Sequence, residues 1–182
     1  MVYAIQSLVQ IDVAAQIGSN RLPLVDIEDA PRFAYRGFLL DISRNFYGLD
    51  KIKQLVDLMS IYKLNYLDLK LTDDEGWRLE IPGLPELTEV GAKRGYTKDE
   101  QDRLIPMYGS GADGGETGNG FLSQQDFIDL LQYARVRNVT VIPQISFPSH
   151  ARAAVVSMEA RRQRFLAAGN EAAAEEFALM DP

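Results

Sequence analysis

Leu64-Asn65-Tyr66-Leu67-Asp68-Leu69-Lys70-Leu71 is a largely apolar run that leads directly into Thr72-Asp73-Asp74-Glu75-Gly76-Trp77-Arg78. The run predicts a buried strand, and its end carries consecutive carboxylates. Charge beside a core is costly, and barrel enzymes place such groups at the carboxyl ends of their strands. A sequence such as Asp-Asp-Glu-Gly is also common in solvent-exposed turns. The motif alone is therefore compatible with an active site or with a solvated turn.

Two further strands are predicted on either side of this motif. Residues 37–42 form a near-continuous apolar run, typical of a strand that is covered on both faces. Residues 139–145 are rich in β-branched side chains, but Pro143 interrupts them, so we expect a distorted strand. A short strand is also predicted at residues 21–27.

Helices are predicted between and around these strands. Apolar residues recur at helical spacing in residues 3–17, 49–62 and 124–137. Ser123 and Asp126 nearly match a capping box at the start of the third helix. A last helix opens at His150 and breaks at Gly169-Asn170.

Residues 80–120 lack periodicity and contain a glycine-rich centre at residues 109–120. An irregular segment of this length in a compact domain is usually functional or mobile, although a disordered surface loop fits the glycine part equally well. No Gly-Lys-Ser/Thr follows, so it is not a phosphate-binding loop.

The order of strands and helices predicts an α/β fold with parallel strands. Three strand–helix units are too few to close an eight-stranded barrel, which needs about 200 residues or more. The sheet would be left with a bare edge. The chain is therefore a small open sheet or a piece of something larger.

Composition excludes several classes of function. The net charge of −7 argues against a nucleic-acid or anionic-membrane partner. No apolar run approaches the length of a membrane span, and Met1-Val2-Tyr3 opens without the regions of a signal peptide. The absence of cysteine excludes cysteine-ligated metal sites, and a single histidine leaves little room for a histidine-rich one. We predict no metal site, and we also expect no cofactor.

Polar residues follow each of the three main strands, whose carboxyl ends converge in parallel α/β folds. His150 is expected to pair with Asp73 or Asp74, which would orient the imidazole; alternatively it merely caps a helix. Trp77 is either a sugar-stacking face or core, and Asp99-Glu100 is interpreted as solvated. The residues that follow the strands are Asp41, Ser43 and Arg44; Asp73, Asp74 and Glu75; and Gln144, Ser146 and His150.

Several segments in this order resemble the catalytic domain of family 20 glycoside hydrolases, the β-N-acetylhexosaminidases. The resemblance covers nearly the whole chain. The matching segments are Tyr35-Arg36-Gly37-Phe38-Leu39-Leu40-Asp41-Ile42-Ser43-Arg44, Leu71-Thr72-Asp73-Asp74-Glu75-Gly76-Trp77-Arg78-Leu79-Glu80-Ile81, Leu87-Thr88-Glu89-Val90-Gly91-Ala92-Lys93-Arg94-Gly95 and Val141-Ile142-Pro143-Gln144-Ile145-Ser146-Phe147-Pro148-Ser149-His150.

The resemblance implies a partial (β/α)8 barrel, about the first three units, in residues 35–182. Residues 1–34 would be the end of a preceding small α/β domain and a linker. The implied reaction releases terminal N-acetylhexosamine from a glycan with retention, and the substrate's own acetamido group is the nucleophile. The family also implies a periplasmic or extracellular location, which the residues themselves do not determine.

The resemblance further implies site residues. Asp73 and His150 match a pair that supports the catalytic acid from behind, and Arg36, Asp74 and Trp77 are the expected substrate-binding residues. Strand position argues against Arg36, since it precedes the first strand, but the family match favours it.

The departures from the family pattern bear on activity. The catalytic Asp-Glu pair that follows the fourth strand has no counterpart in this chain. Asn45 and Lys70 stand where histidine is usual, and Gln144 and Ser146 stand where Glu and Asp are usual. These substitutions suggest a divergent member with altered specificity or lost activity.

Three hypotheses follow. The chain is a fragment of an active glycosidase and is inactive by itself, or it comes from a carbohydrate-binding relative without activity, or it is a structural fragment without affinity for sugar. Exposed apolar flanks of a partial barrel are also expected to drive self-association.

Overall fold

The structure is a computed structural model that describes residues 2–14 and 24–178. Three βα units account for most of these residues. In chain order the elements are α1 (Val2–Ala14), β1 (Gly37–Asp41), α2 (Leu49–Ile61), β2 (Tyr66–Lys70), β3 (Thr72–Asp73), β4 (Gly76–Trp77), α3 (Glu86–Glu89), α4 (Gly115–Gly118), α5 (Gln124–Arg135), β5 (Thr140–Gln144), α6 (Arg152–Ala167) and α7 (Glu171–Glu175).

The main sheet has three parallel strands in the order β1-β2-β5. Asp41 pairs in register with Lys70, and Lys70 pairs with Gln144. The ends of all three strands therefore lie side by side. A parallel connection needs a crossover, which α2 supplies between β1 and β2 and α5 supplies between β2 and β5.

The hydrophobic core lies between one face of this sheet and the helices α2 and α5. The central strand contributes Leu67 and Leu69, and both are fully buried. The remaining buried members of the core are Ile42, Ile52, Val56, Met59, Leu71, Leu122, Leu130, Ala134 and Val139.

The outer strands of the sheet differ from the sequence expectation. We predicted that β1 is covered on both faces, but Phe38 and Leu39 are 42% and 56% exposed. In the described residues β1 and β5 are edge strands with no further strand beside them. Pro143 pairs with Leu69 in an unbroken register, so the predicted distortion of β5 is wrong. An edge strand tolerates the missing N–H of proline.

The helix predictions are largely confirmed. Helix α5 begins after a complete capping box, in which Ser123 and Asp126 each accept from the other's backbone amide. Helix α6 ends at Ala167, and α7 follows the predicted break at Gly169-Asn170. Among the described residues, no helix is long and apolar enough to cross a bilayer.

The amino-terminal segment is partly described. Helix α1 covers residues 2–14, and the rest of the predicted helix lies outside the described residues. The predicted strand at residues 21–27 is not present at residues 24–27, which are irregular and exposed, and residues 21–23 are outside the described part. Helix α1 contacts the end of α2 through Gln10, whose amide donates to the Ile61 carbonyl at 2.7 Å. The division into domains at residue 34 stays a prediction.

The segment 80–120 is irregular, as predicted, but it is organised around one buried side chain. Arg78 donates to the carbonyls of Ser43, Ala92, Gly118 and Gly120 at 2.9–3.2 Å. Burial lowers the pKa of Arg78 to about 9. Because Ser43 lies in the loop after β1 and the other three carbonyls lie in residues 80–120, Arg78 joins the long segment to that loop.

Candidate active site at the carboxyl ends of the strands

The site is centred on Asp73, whose side chain is fully buried at the carboxyl edge of the sheet. The chain leaves β2 at Lys70 and turns at once into the β3–β4 hairpin, which carries Asp73 at its end. The ammonium of Lys70 contacts Asp73 Oδ2. Arg44 Nη2 lies 3.0 Å from the same oxygen. One carboxylate oxygen therefore receives two cations.

His150 lies on the other side of the Asp73 carboxylate. Its Nδ1 is 3.2 Å from Asp73 Oδ1 and 3.1 Å from Asp74 Oδ2. The predicted pairing with Asp73 or Asp74 thus occurs with both. The residue has a left-handed backbone with φ of 56°, and its side chain is half exposed.

Asp74 links this histidine to the helix that follows it. The Arg152 backbone amide, in the first turn of α6, donates to Asp74 Oδ1 at 3.1 Å. We predicted that this helix begins at His150, but it begins two residues later, at Arg152. Both oxygens of Asp74 are engaged in holding His150 and α6.

Asp41 fixes the arginine of the site. Its Oδ1 accepts from the Ser43 amide at 2.9 Å and the Ser43 hydroxyl at 2.6 Å, and Arg44 Nη1 lies 2.5 Å from Oδ2. Burial raises the pKa of Asp41, but the Ser43 and Arg44 donors outweigh it and the net pKa is lowered. The carboxylate is thereby held ionised beside Arg44.

Two neighbouring carboxyls have opposite environments. Burial raises the pKa of Asp73, but donation from Lys70 and from the Asp74 amide brings the net value below the ordinary range. Burial raises the pKa of Glu75, and the Asp73 carboxylate raises it further. Arg44 Nε is 3.7 Å from Glu75 Oε2, a buried oxygen that accepts no hydrogen bond from residues 2–14 or 24–178. Neighbouring acids whose pKa values are shifted in opposite directions are common at acid–base sites.

The third strand reaches the site through Ser146 and Gln144. The Ser146 amide donates to Thr72 Oγ1 at 2.9 Å, and its hydroxyl donates to the Thr72 carbonyl at 3.1 Å. Gln144 Oε1 is buried and has no hydrogen-bond partner among the residues that the structure describes. Ser146 thus ties the loop after β5 to the hairpin that carries Asp73.

Arg36 and Trp77 are not brought to this cluster. Arg36 precedes β1, and its guanidinium donates to the Lys63 and Phe33 carbonyls at 2.6 Å. It therefore lies at the amino end of the sheet, away from Asp73, as strand position indicated. The Trp77 indole donates to the Leu79 carbonyl at 2.6 Å, and no hydrogen bond joins it to the carboxylates. Sequence reasoning placed Arg44 after strand one but assigned it no role, although its spacing from Asp41 was the available signal.

Asp73, Asp74 and His150 offer donor atoms within 4.8 Å of one another. A metal cation at this position would be repelled by Lys70 and Arg44, which already form ion pairs with Asp73. We therefore assign no metal to this cluster. His150 contacts the carboxylates through Nδ1, and no described residue forms a hydrogen bond with its Nε2. The second ring nitrogen could therefore serve another group, as support of a proton transfer requires.

Comparison with known proteins agrees with this geometry. The family model described as glycosyl hydrolase family 20, catalytic domain, matches residues 33–179. The N,N'-diacetylchitobiase of Vibrio harveyi is 53% identical over 180 residues, which are 99% of this chain and 20% of that protein. The beta-hexosaminidase of Vibrio vulnificus is 43% identical, over 99% of this chain and 21% of that protein.

Solved structures show the same relationship. A family 20 exo-beta-N-acetylglucosaminidase from Vibrio harveyi, in complex with N-acetylglucosamine, has a TM-score of 0.65 and 42% identity over 71% of this chain and 19% of that one. A beta-N-acetylhexosaminidase from Bacteroides fragilis has a TM-score of 0.69 and 35% identity over 86% and 28%. The chain spans about a fifth of the length of the first curated relatives. The chain therefore belongs to glycosyl hydrolase family 20 and forms part of its catalytic domain.

Proposed function

We propose that the protein containing this chain is a β-N-acetylhexosaminidase, which removes terminal N-acetylhexosamine from glycans by substrate-assisted retaining catalysis. The observation that carries the proposal is the contact of His150 with Asp73 at the carboxyl ends of the strands, with Nδ1 3.2 Å from Oδ1. The chitobiase and hexosaminidase relatives support the substrate class. In this proposal Asp73 and His150 support the catalytic acid from behind.

The sugar-binding arginine in this proposal is Arg44. Among the described arginines it is the one that contacts Asp73, and about a third of its side chain is exposed. Arg36 is held at the other end of the sheet by backbone carbonyls. The guanidinium of Arg44 is therefore in place to donate to sugar hydroxyls beside the acidic cluster.

The acid itself and the carboxylate that orients the acetamido group are not supplied by residues 1–182 in this proposal. Asp74 and Glu75 do not replace them, since Asp74 is engaged with His150 and the helix α6 amide. Glu75 Oε2 is buried. The isolated chain is accordingly expected to be inactive.

The test is steady-state hydrolysis of 4-nitrophenyl N-acetyl-β-D-glucosaminide by the full-length protein. Asp73→Asn and His150→Gln are each expected to lower kcat by about 10²-fold or more, because each removes support from the proton-transferring group. Lys51→Met, an exposed lysine on α2, is the control and should leave kcat unchanged. Full activity in both site variants would overturn the assignment of the pair.

A second function has a specific observation in its favour. Lys70, Gln144 and Ser146 depart from the family pattern, and in the described part of the chain the buried Gln144 Oε1 has no hydrogen-bond partner. A relative that holds a sugar without cleaving it would fit such changes. It predicts that the full-length protein binds N-acetylglucosamine in calorimetry but releases no nitrophenol.

A further inference from the structure

Lys70 is largely shielded from solvent and lies against the most buried acid of the site. It is the last residue of β2, its side chain is 12% exposed, and its ammonium contacts Asp73 Oδ2. Asp73 itself is fully buried. A buried lysine is rare unless it is paired, so this contact is the reason that Lys70 can occupy the position.

The contacts of Asp73 are divided between its two oxygens. Oδ2 receives Lys70 and Arg44, whereas Oδ1 receives the Asp74 amide at 2.7 Å and faces His150. The torsion that turns a carboxylate is soft. Two cations fixed on one oxygen therefore determine which oxygen faces the imidazole.

We infer that Lys70 is a positioning residue of the proposed glycosidase: it keeps Asp73 ionised and, with Arg44, holds Oδ2 so that Oδ1 faces His150. The inference rests on the proposed function. It also changes the interpretation of Lys70. In the sequence analysis, the lysine in place of a histidine suggested altered specificity or lost activity. Its place beside Asp73 indicates an alternative way to hold the same carboxylate.

The charges around Asp73 support this role. Lys70, Arg44 and His150 face it from β2, from the loop after β1 and from the loop before α6, and Asp74 and Glu75 are the acids beside it. Burial raises the pKa of Asp73, and donation by Lys70 is the largest effect that lowers it. Since the net pKa of Asp73 is lowered, its carboxylate stays ionised further into the acid range. Loss of Lys70 should raise this pKa, so that Asp73 becomes protonated at a higher pH.

The experiment is the pH dependence of kcat/KM for 4-nitrophenyl N-acetyl-β-D-glucosaminide in the full-length protein. Between neutral and acid pH, kcat/KM of Lys70→Met is expected to fall about tenfold more than kcat/KM of the unsubstituted protein. The reason is that a nearby positive charge favours the ionised form of Asp73. The loss should fall on kcat rather than on KM. Lys70→Arg, which keeps the charge, should retain the profile, and Lys51→Met is the control. A profile of Lys70→Met that coincides with the unsubstituted one would overturn the inference.

A second measurement separates this inference from the proposed function. The ¹³C carboxyl signal of Asp73 in the full-length protein, assigned by its loss in Asp73→Asn, is followed during an acid titration. Lys70→Met should move its midpoint to higher pH and Lys70→Arg should not, whether or not the protein hydrolyses the substrate. An unchanged midpoint contradicts the role of Lys70. Lys70→Gln is titrated in the same way if Lys70→Met does not fold.

Discussion

At the scale of single residues, the site depends on cations that enclose buried acids. Asp73 is held between Lys70, Arg44 and His150. Arg78 lies buried nearby and donates its hydrogen bonds to backbone carbonyls. Burying a guanidinium is costly unless its donors are satisfied. Arg78 meets that condition by joining loops that are distant in sequence.

Arg78→Met should loosen the long segment because four carbonyls lose their donor. We expect a loss of stability of about 3 kcal/mol or more. Limited trypsin digestion of the full-length protein checks this, since the segment contains Lys93, Lys98 and Arg103. Cleavage between residues 93 and 103 should become much faster. Arg135→Met, at an exposed position of α5, is the control, and equal cleavage rates in the two variants would contradict the role of Arg78.

At the scale of elements, local patterns predicted most of the helices and strands. The spacing in residues 124–137 and the Ser123–Asp126 box identified α5 and its start. Periodicity could not show that β1 is exposed, because an apolar run does not reveal which neighbours are present. The prediction that Pro143 distorts β5 was wrong for a related reason, since the effect of a proline depends on whether its strand lies at the edge of the sheet.

The site was predictable as a cluster but not in its contacts. Parallel strands bring their ends together, which was enough to join Asp73 to His150. The role of Asp74 depends on the Arg152 amide, 78 residues away in sequence, and no local pattern encodes such a contact. Arg36 shows the converse: its position before β1 predicted that it lies at the amino end of the sheet, where its guanidinium binds the Lys63 and Phe33 carbonyls, although the family match favoured it as a sugar-binding residue.

The capping box gives a prediction for α5. Ser123→Ala removes the acceptor of the Asp126 amide, and the cost is expected to be about 1 kcal/mol. Hydrogen exchange in the first turn of α5 should therefore be about fivefold faster, as measured by mass spectrometry on the full-length protein. Gln124→Ala, an exposed neighbour, is the control. Exchange that is equal in the two variants would show that the cap does not stabilise the helix.

At the scale of the whole molecule, the described chain is a partial (β/α)8 barrel with three of its βα units. Apolar side chains on its outer strands, such as Leu39 and Ile142, are exposed where a closed barrel would cover them. The expected self-association of the isolated chain stays a prediction. The open edges fit the finding that this chain spans about a fifth of its curated relatives.

We propose that this chain supplies part of a hexosaminidase active site and not the whole of it. The direct measurement is release of nitrophenol from 4-nitrophenyl N-acetyl-β-D-glucosaminide by the full-length protein and by the isolated 182-residue chain at equal molar concentration. We predict turnover by the full-length protein that is lost in His150→Gln, and none by the isolated chain. Turnover by the isolated chain, or a full-length protein without activity, would show that this proposal is wrong.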